Sequence, residues 1–306
     1  MIRVALFDLG LTLVDSRNRP FPHVKEALQT IQSFATTKRQ PLLLGLVSDF
    51  DMPASPATPA KIATIFDRYL AILDQTGLRS FFEPPQRRVT LSTHAGVFKP
   101  DRKIFETALR RLRSTRSLKE CLFVTENSDH IRAAHTKLGM RTLQFQRGRS
   151  SGSEFDDWLQ APAMIAHLID PAGGSNAEAA LRGYLNLTHG FDLRTIEPSK
   201  RAHVTVVHGT LWKPVGSPAG RGLANVHAPF TVAGEVMRGP AGEIRGVRFA
   251  EPTSTDVTEA AGLVRSLARH GQISGSAPPL AGAATHDIEI DDQGRRKLVR
   301  KRFRAI

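Results

Sequence analysis

Apolar and polar positions in the first half of the chain switch repeatedly between continuous runs and helical spacing. Residues 2–9 form an apolar stretch around one carboxylate, Asp8, and read as a buried strand. Phe21 to Leu28 opens a helix, with Pro22 near its first position and Val24, Ala27, Leu28, Ile31 and Phe34 on one face. After Pro41, the unbroken run Leu42 to Val47 has the pattern of a central parallel strand. Residues 53–59, rich in Pro, Ala and Ser, read as a loop. Amphipathic helices are predicted over Lys61 to Gly77 and Asp101 to Leu112, with a short strand at Leu122 to Val124. Ile131 to Leu138 is helical and closed by Gly139 as a C-cap; Thr142 to Phe145 is a strand, and a helix runs from Phe155 to Ile169. This alternation predicts an α/β fold with a doubly wound parallel sheet.

Pro171 to Asn176 reads as a domain boundary, beyond which the texture changes. His203 to Trp212 is strand-like, and Phe230 to Arg238 and Glu243 to Phe249 flank a hairpin turn at 239–242. One helix follows, with Asp256 as its cap; Val257, Ala260, Ala261, Val264 and Ala268 form its apolar face and Gly271 ends it. His286 to Ile290, a turn at 291–294 and a basic strand from Arg295 finish the chain. The predicted organisation is residues 1–170 as the α/β domain, 171–180 as a linker and 181–306 as a smaller β-rich α+β domain of unassigned role.

The 306 residues are enough for two domains, and 41% hydrophobic content is globular. No apolar run approaches the ~20 residues needed to span a bilayer. An acid inside the first apolar stretch argues against a signal peptide. The one cysteine, Cys121, leaves no intramolecular disulfide and fits a reducing, cytoplasmic setting; its apolar neighbours make it a buried structural thiol. The net charge of +13 is spread over both halves: residues 171–306 hold 18 Lys and Arg against 12 Asp and Glu. That excess favours an anionic ligand without naming one. Two Tyr and two Trp argue against a nucleic-acid surface, which wants exposed aromatics in a basic patch.

The candidate chemistry starts at Ala5-Leu6-Phe7-Asp8-Leu9-Gly10-Leu11-Thr12-Leu13-Val14-Asp15-Ser16. A strand that ends in Asp holds a carboxylate at the carboxyl edge of a parallel sheet, where such folds bind ligands. There it can serve as a nucleophile or a metal ligand. The segment resembles the first motif of the haloacid dehalogenase-like (HAD) hydrolases, usually Asp-x-Asp-Gly-Thr. Asp8 holds the nucleophile position and Thr12 the hydroxyl; Gly10 replaces the second Asp and Leu11 the Gly. Three later positions follow the family's order: Ser48 after an apolar strand, Lys99 in Gly96-Val97-Phe98-Lys99-Pro100-Asp101, and an acidic loop at Thr125-Glu126-Asn127-Ser128-Asp129. The last departs from the family, whose usual Gly-Asp pair is Thr125-Glu126 and whose second Asp falls on Ile131. The resemblance covers residues 1 to about 170, with no room for a large helical cap between Asp15 and Pro41.

What the resemblance implies is a phosphatase that forms an aspartyl-phosphate on Asp8. Thr12, Ser48 and Lys99 hold the phosphoryl oxygens. Asp8, the Gly10 carbonyl and Glu126, with Asp129, hold Mg²⁺. The substrate is a small phosphorylated or otherwise anionic molecule. Glycine at position 10 keeps the carbonyl and loses the general acid, so the alternative is a catalytically impaired HAD scaffold whose C-terminal domain binds a partner. His94 or His130 is placed to replace the acid, and Asp49 is a lesser candidate. His189, His203, His208 and His227 match no metal-ligand spacing. The basic residues Arg295, Arg296, Lys297, Arg300, Lys301, Arg302 and Arg304 read as partners of Asp287 and Glu289 across strands, with a phosphate-rich partner such as nucleic acid as the competing reading.

Overall fold

A computed structural model describes residues 2–36, 39–148, 155–215, 226–273 and 284–301. The chain divides into two compact units: Met1–Leu181 with Pro240–Glu243, and Arg182–Gly239 with Ile244–Ile306.

The first unit contains, in order, β1 (Val4–Phe7), α1 (Val24–Gln32), β2 (Leu43–Ser48), α2 (Pro59–Thr76), α3 (Pro85–Arg88), β3 (Val89–Leu91), α4 (Ser92–Ala95), α5 (Arg102–Arg111), β4 (Cys121–Thr125), α6 (Ser128–Leu138), β5 (Arg141–Gln144) and α7 (Ala161–Ile169). Its five strands are all parallel in the order β3-β2-β1-β4-β5. The chain winds to one side of β1 and then to the other, so the sheet is doubly wound and its switch point lies between β1 and β4. Every residue of β1 is fully buried, as a central strand covered on both faces requires. On β2, Gly45 admits close neighbours: a Cβ there would lie 3.1 Å from a Leu6 methyl and 3.2 Å from the Arg88 carbonyl oxygen.

The helices start and stop where the chain supplies caps. The Thr58 hydroxyl accepts from Lys61 N at the head of α2, Asp101 caps α5, and the Asn127 side chain accepts from Asp129 N and His130 N at the head of α6. Gly77 and Gly139 close α2 and α6 in the left-handed conformation. The expected helix from Phe155 begins only at Ala161, because Phe155 pairs by backbone with Phe145 and packs with it and Trp158 as an aromatic cluster. Residues 171–174 are a turn, but α8 (Ser175–His189) occupies the rest of the segment read as a linker. Its buried Ala180, Leu181 and Leu185 carry the helical spacing that the Gly-rich start conceals. No helix among the described residues is long and apolar enough to cross a membrane.

The second unit is a β-rich α+β body: β6 (Phe191–Pro198), β7 (Val204–Pro214), β8 (Val226–Arg238), β9 (Ile244–Phe249), α9 (Ser254–Arg269), β10 (His286–Ile290) and β11 (Arg296–Arg300). The sheet runs β10-β11-β8-β7-β6 with β9 also on β8; β11 and β8 are parallel and the other pairs antiparallel. The β8–β9 hairpin takes the predicted turn. The capping box of α9 lies three residues earlier than expected: Thr253 is the cap, accepting from Asp256 N, while Asp256 reaches back to Thr253 N. On the basic strand, Lys297 faces Glu289 across the ladder, and Lys301 pairs with Asp287 at 3.4 Å. Arg302 and Arg304 lie outside the described residues.

Candidate active site

The register of the parallel sheet assembles the site. Phe7 lies level with Val124 on β4 and with Leu46 on β2, so the next residue, Asp8, emerges at the carboxyl edge beside Thr125 and near Ser48. Asp8 N donates to the Val124 carbonyl at 2.9 Å, which ties the start of the loop to β4. The Asp8 side chain is about one-tenth exposed. Its Oδ1 accepts from Leu9 N at 2.8 Å and from the Ser48 hydroxyl at 3.3 Å. Its Oδ2 is ion-paired with Lys99 Nζ and lies 3.2 Å from the Thr125 hydroxyl. The Lys99 side chain is buried against the Phe123 ring, with Nζ 5.8 Å from the ring centre, and Lys99 N donates to Asp49 Oδ1 at 2.8 Å. Asp49 thus fixes the lysine loop.

A second acid joins through two threonines. The Thr12 hydroxyl donates to Glu126 Oε2 at 2.6 Å and accepts from Glu126 N at 3.1 Å. The Thr125 hydroxyl lies 3.1 Å from Glu126 Oε2 as well as 3.2 Å from Asp8 Oδ2, and its single proton serves one carboxylate at a time. Trp158 Nε1 donates to the Thr12 carbonyl at 3.0 Å, anchoring the loop from below.

The fold therefore brings Asp8, Thr12, Ser48, Lys99 and Glu126 together. Gly10 lies exposed on the same loop. Asp129 is not part of the cluster: as the second residue of α6 its side chain stands exposed and pairs with Arg132 one turn on, at 3.0 Å. His94 is occupied too. Its Nδ1 accepts from Leu91 N at 3.0 Å and its ring packs edge-on against Phe66, 5.0 Å between centres. Burial, with the Arg111 charge second, lowers its pKa to about 4. His130 feels the charges of Lys99, Asp49, Asp8 and Glu126; burial first and Lys99 second hold its ring below the ordinary value, and its buried Nδ1 has no partner among the described residues. Cys121 is buried with its pKa raised to about 12 by burial and then by Glu120, an inert thiol.

Two side chains contribute in ways that the sequence motifs do not assign. Tyr69 of α2 donates its hydroxyl to Ser48 Oγ at 2.7 Å. Burial, opposed by the Ser48 hydrogen bond and reinforced by Asp8, raises its pKa, so the phenol stays protonated and donates. It thereby leaves the Ser48 proton for Asp8. Thr125 is the other, bridging toward both acids. A signal existed for Tyr69: a hydroxyl on the apolar face of α2, among Ile65, Phe66, Leu70 and Leu73, needs a buried partner.

The cluster places one carboxylate against an ammonium and two hydroxyls, with a second carboxylate within reach of a shared hydroxyl. In such a water-poor setting each charge interaction is stronger than on the surface. The arrangement suits attack by Asp8 on an anionic centre that Lys99 neutralises.

No protein-family model and no curated protein matches the chain. Among solved structures, one match is to YfnB of Bacillus subtilis, described as a HAD-hydrolase and crystallised with magnesium. It is 13% identical, with a TM-score of 0.33, and the match covers 50% of this chain and 57% of that one, a little over half its length. The architecture given above rests on the strand order and register of this chain.

Proposed function

We propose that the first unit is a HAD-like hydrolase, a phosphatase acting on a small phosphorylated molecule through Asp8. The observation that carries the reading is the convergence of Asp8, Lys99, Ser48, Thr12 and Glu126 from four loops at the switch point of the sheet. An Asp8 carboxylate oxygen attacks phosphorus, the bond to the leaving oxygen breaks, and an aspartyl-phosphate forms. Lys99, Ser48 and Thr12 hold the phosphoryl oxygens. Water then attacks phosphorus, releasing phosphate and restoring Asp8.

Mg²⁺ fits the residues present. Asp8 Oδ2 and Glu126 Oε2 both lie near the Thr125 hydroxyl, so two carboxylates face one region. Magnesium typically keeps several waters and takes one or two carboxylates. Asp8, Glu126 and the Gly10 carbonyl would hold it, and it would supply positive charge to offset that of the phosphoryl group.

The test is hydrolysis of 4-nitrophenyl phosphate, with and without Mg²⁺, by the wild type and Asp8→Asn. The expected result is turnover that falls at least ~10³-fold in the variant. Equal turnover by both rejects the mechanism. A second reading, an impaired scaffold whose other unit binds a partner, is favoured by Gly10, which stands where a general acid would be. Asp8-dependent turnover of any phosphoester removes it.

A further inference from the structure

Among the described residues of the first unit, three large apolar side chains stand exposed: Leu11 at 50%, Met52 at 38% and Phe98 at 53%. Their placement is not scattered. Leu11 lies on the loop after β1 that carries Asp8 and Thr12. Met52 lies on the loop after β2, four residues beyond Ser48. Phe98 immediately precedes Lys99 on the segment that follows β3 and α4. All three loops leave the carboxyl edge of the parallel sheet, where the cluster sits. Single exposed apolar residues need no explanation, but an apolar set confined to the loops of one site does.

Leu11 adds an independent sign. Its φ is +55°, in the left-handed region that disfavours a side chain with a Cβ. A leucine is held there with half its surface in water, so it gains little from burial in return. Strained positions that survive in this way cluster at functional sites. The polar groups of the cluster, by contrast, are directed inward to one another. Position 10, beside Leu11, offers no acid to protonate a departing oxygen.

We infer that this site takes phosphate monoesters of phenols, whose ring lies against Leu11, Met52 and Phe98. The inference rests on the phosphatase reading above and names its substrate class. When Asp8 attacks, the bond between phosphorus and the phenolic oxygen breaks and the electron pair leaves as phenolate. That anion needs no proton at the moment of departure and takes one later from solvent. An alkoxide leaving group lacks this advantage.

The test compares phenyl phosphate with acetyl phosphate, whose leaving group is at least as good but carries no ring, in the wild type, Phe98→Ala, Leu11→Gly and Asp8→Asn. A phosphotyrosyl peptide runs beside phenyl phosphate to separate a ring on a protein from a free one. The expected result is a KM for at least one phenyl ester roughly 10-fold below that for acetyl phosphate, the scale of partly burying one apolar group. Phe98→Ala and Leu11→Gly each shrink that ratio. Leu11→Gly keeps its fold, with a raised melting temperature because the left-handed strain is gone. Asp8-dependent turnover with equal KM for ring-bearing and ring-free esters, or an unaltered ratio in both rim variants, overturns the inference and leaves the phosphatase reading standing. No Asp8-dependent turnover of any of the three substrates overturns both.

Discussion

Each unit holds a network of charged and polar side chains, and the two are built differently. In the second unit, Asp192 accepts from Trp212 Nε1 at 2.6 Å and from Asn186 Nδ2 at 2.7 Å. Lys297 Nζ lies 4.8 Å from the Trp212 ring centre and pairs with Asp291 at 3.3 Å, while Asp291 also holds Arg295 at 2.6 Å. These contacts tie β6 to its neighbour β7 and to α8, reach across the sheet from β7 to β11, and close the turn before β11; the Asp192 side chain is 42% exposed. In the first unit the network links positions 8, 12, 48, 69, 99, 125 and 126, and the Asp8–Lys99 pair at its centre is buried. Burying an ion pair is an expensive way to gain stability. The second network is explained by holding its own elements together, whereas the first is arranged around one carboxylate.

That contrast yields effects of decreasing size. The largest is Gly10→Asp. A Cβ at position 10 meets nothing within 4 Å, so the acid fits without displacing a neighbour. Turnover of an alkyl phosphate should rise by ~10²-fold, the low end of general acid help. A rate that does not move shows that the missing acid is not what limits this site. Next, Asp192→Ala should lower stability by about 2 kcal/mol, through the lost Trp212 and Asn186 partners, with kcat for 4-nitrophenyl phosphate unaltered. A fall in kcat at constant fold would erase the distinction between the two networks.

Tyr69→Phe should reduce kcat by roughly 10-fold, the worth of one buried hydrogen bond. In a Ser48→Ala background the same change should cost almost nothing more, because Tyr69 acts through that hydroxyl. Additive losses would contradict the relay. The last effect concerns pH. The folded pKa of His94 lies near 4, below its ordinary 6.5, so between these values the unfolded chain binds a proton that the folded chain does not. Stability present above pH 6.5 is therefore lost as pH falls toward 4, by no more than about 1.4 kcal/mol per pH unit. His94→Gln, which keeps an acceptor for Leu91 N, should flatten that slope in urea titrations.

Much of the first unit was legible because its strands are unbroken apolar runs that each deliver a polar residue at the same edge. Asp8, Ser48 and Glu126 each follow such a run, and Lys99 precedes a well-capped helix. Register then does the rest, since parallel pairing sets Asp8 beside Thr125. Asp129 lies apart from the cluster, paired with Arg132, because spacing along a loop does not say which way the second residue of a helix points. The roles of the Tyr69 and Thr125 hydroxyls escaped because a hydrogen bond spanning 21 or 117 positions leaves no local mark. In the second unit, β6 was missed since its burial alternates only over its first residues, Phe191 and Leu193 inward, before both faces become wet.

The most direct measurement is to find where the phosphoryl group sits during turnover. Protein mixed with 4-nitrophenyl phosphate, quenched in acid and mapped by peptide mass spectrometry should carry one phosphoryl group on Asp8, released by hydroxylamine and lost in Asp8→Asn. Steady release of phosphate with the label on another residue, or with none on Asp8 at any quench time, would contradict the account.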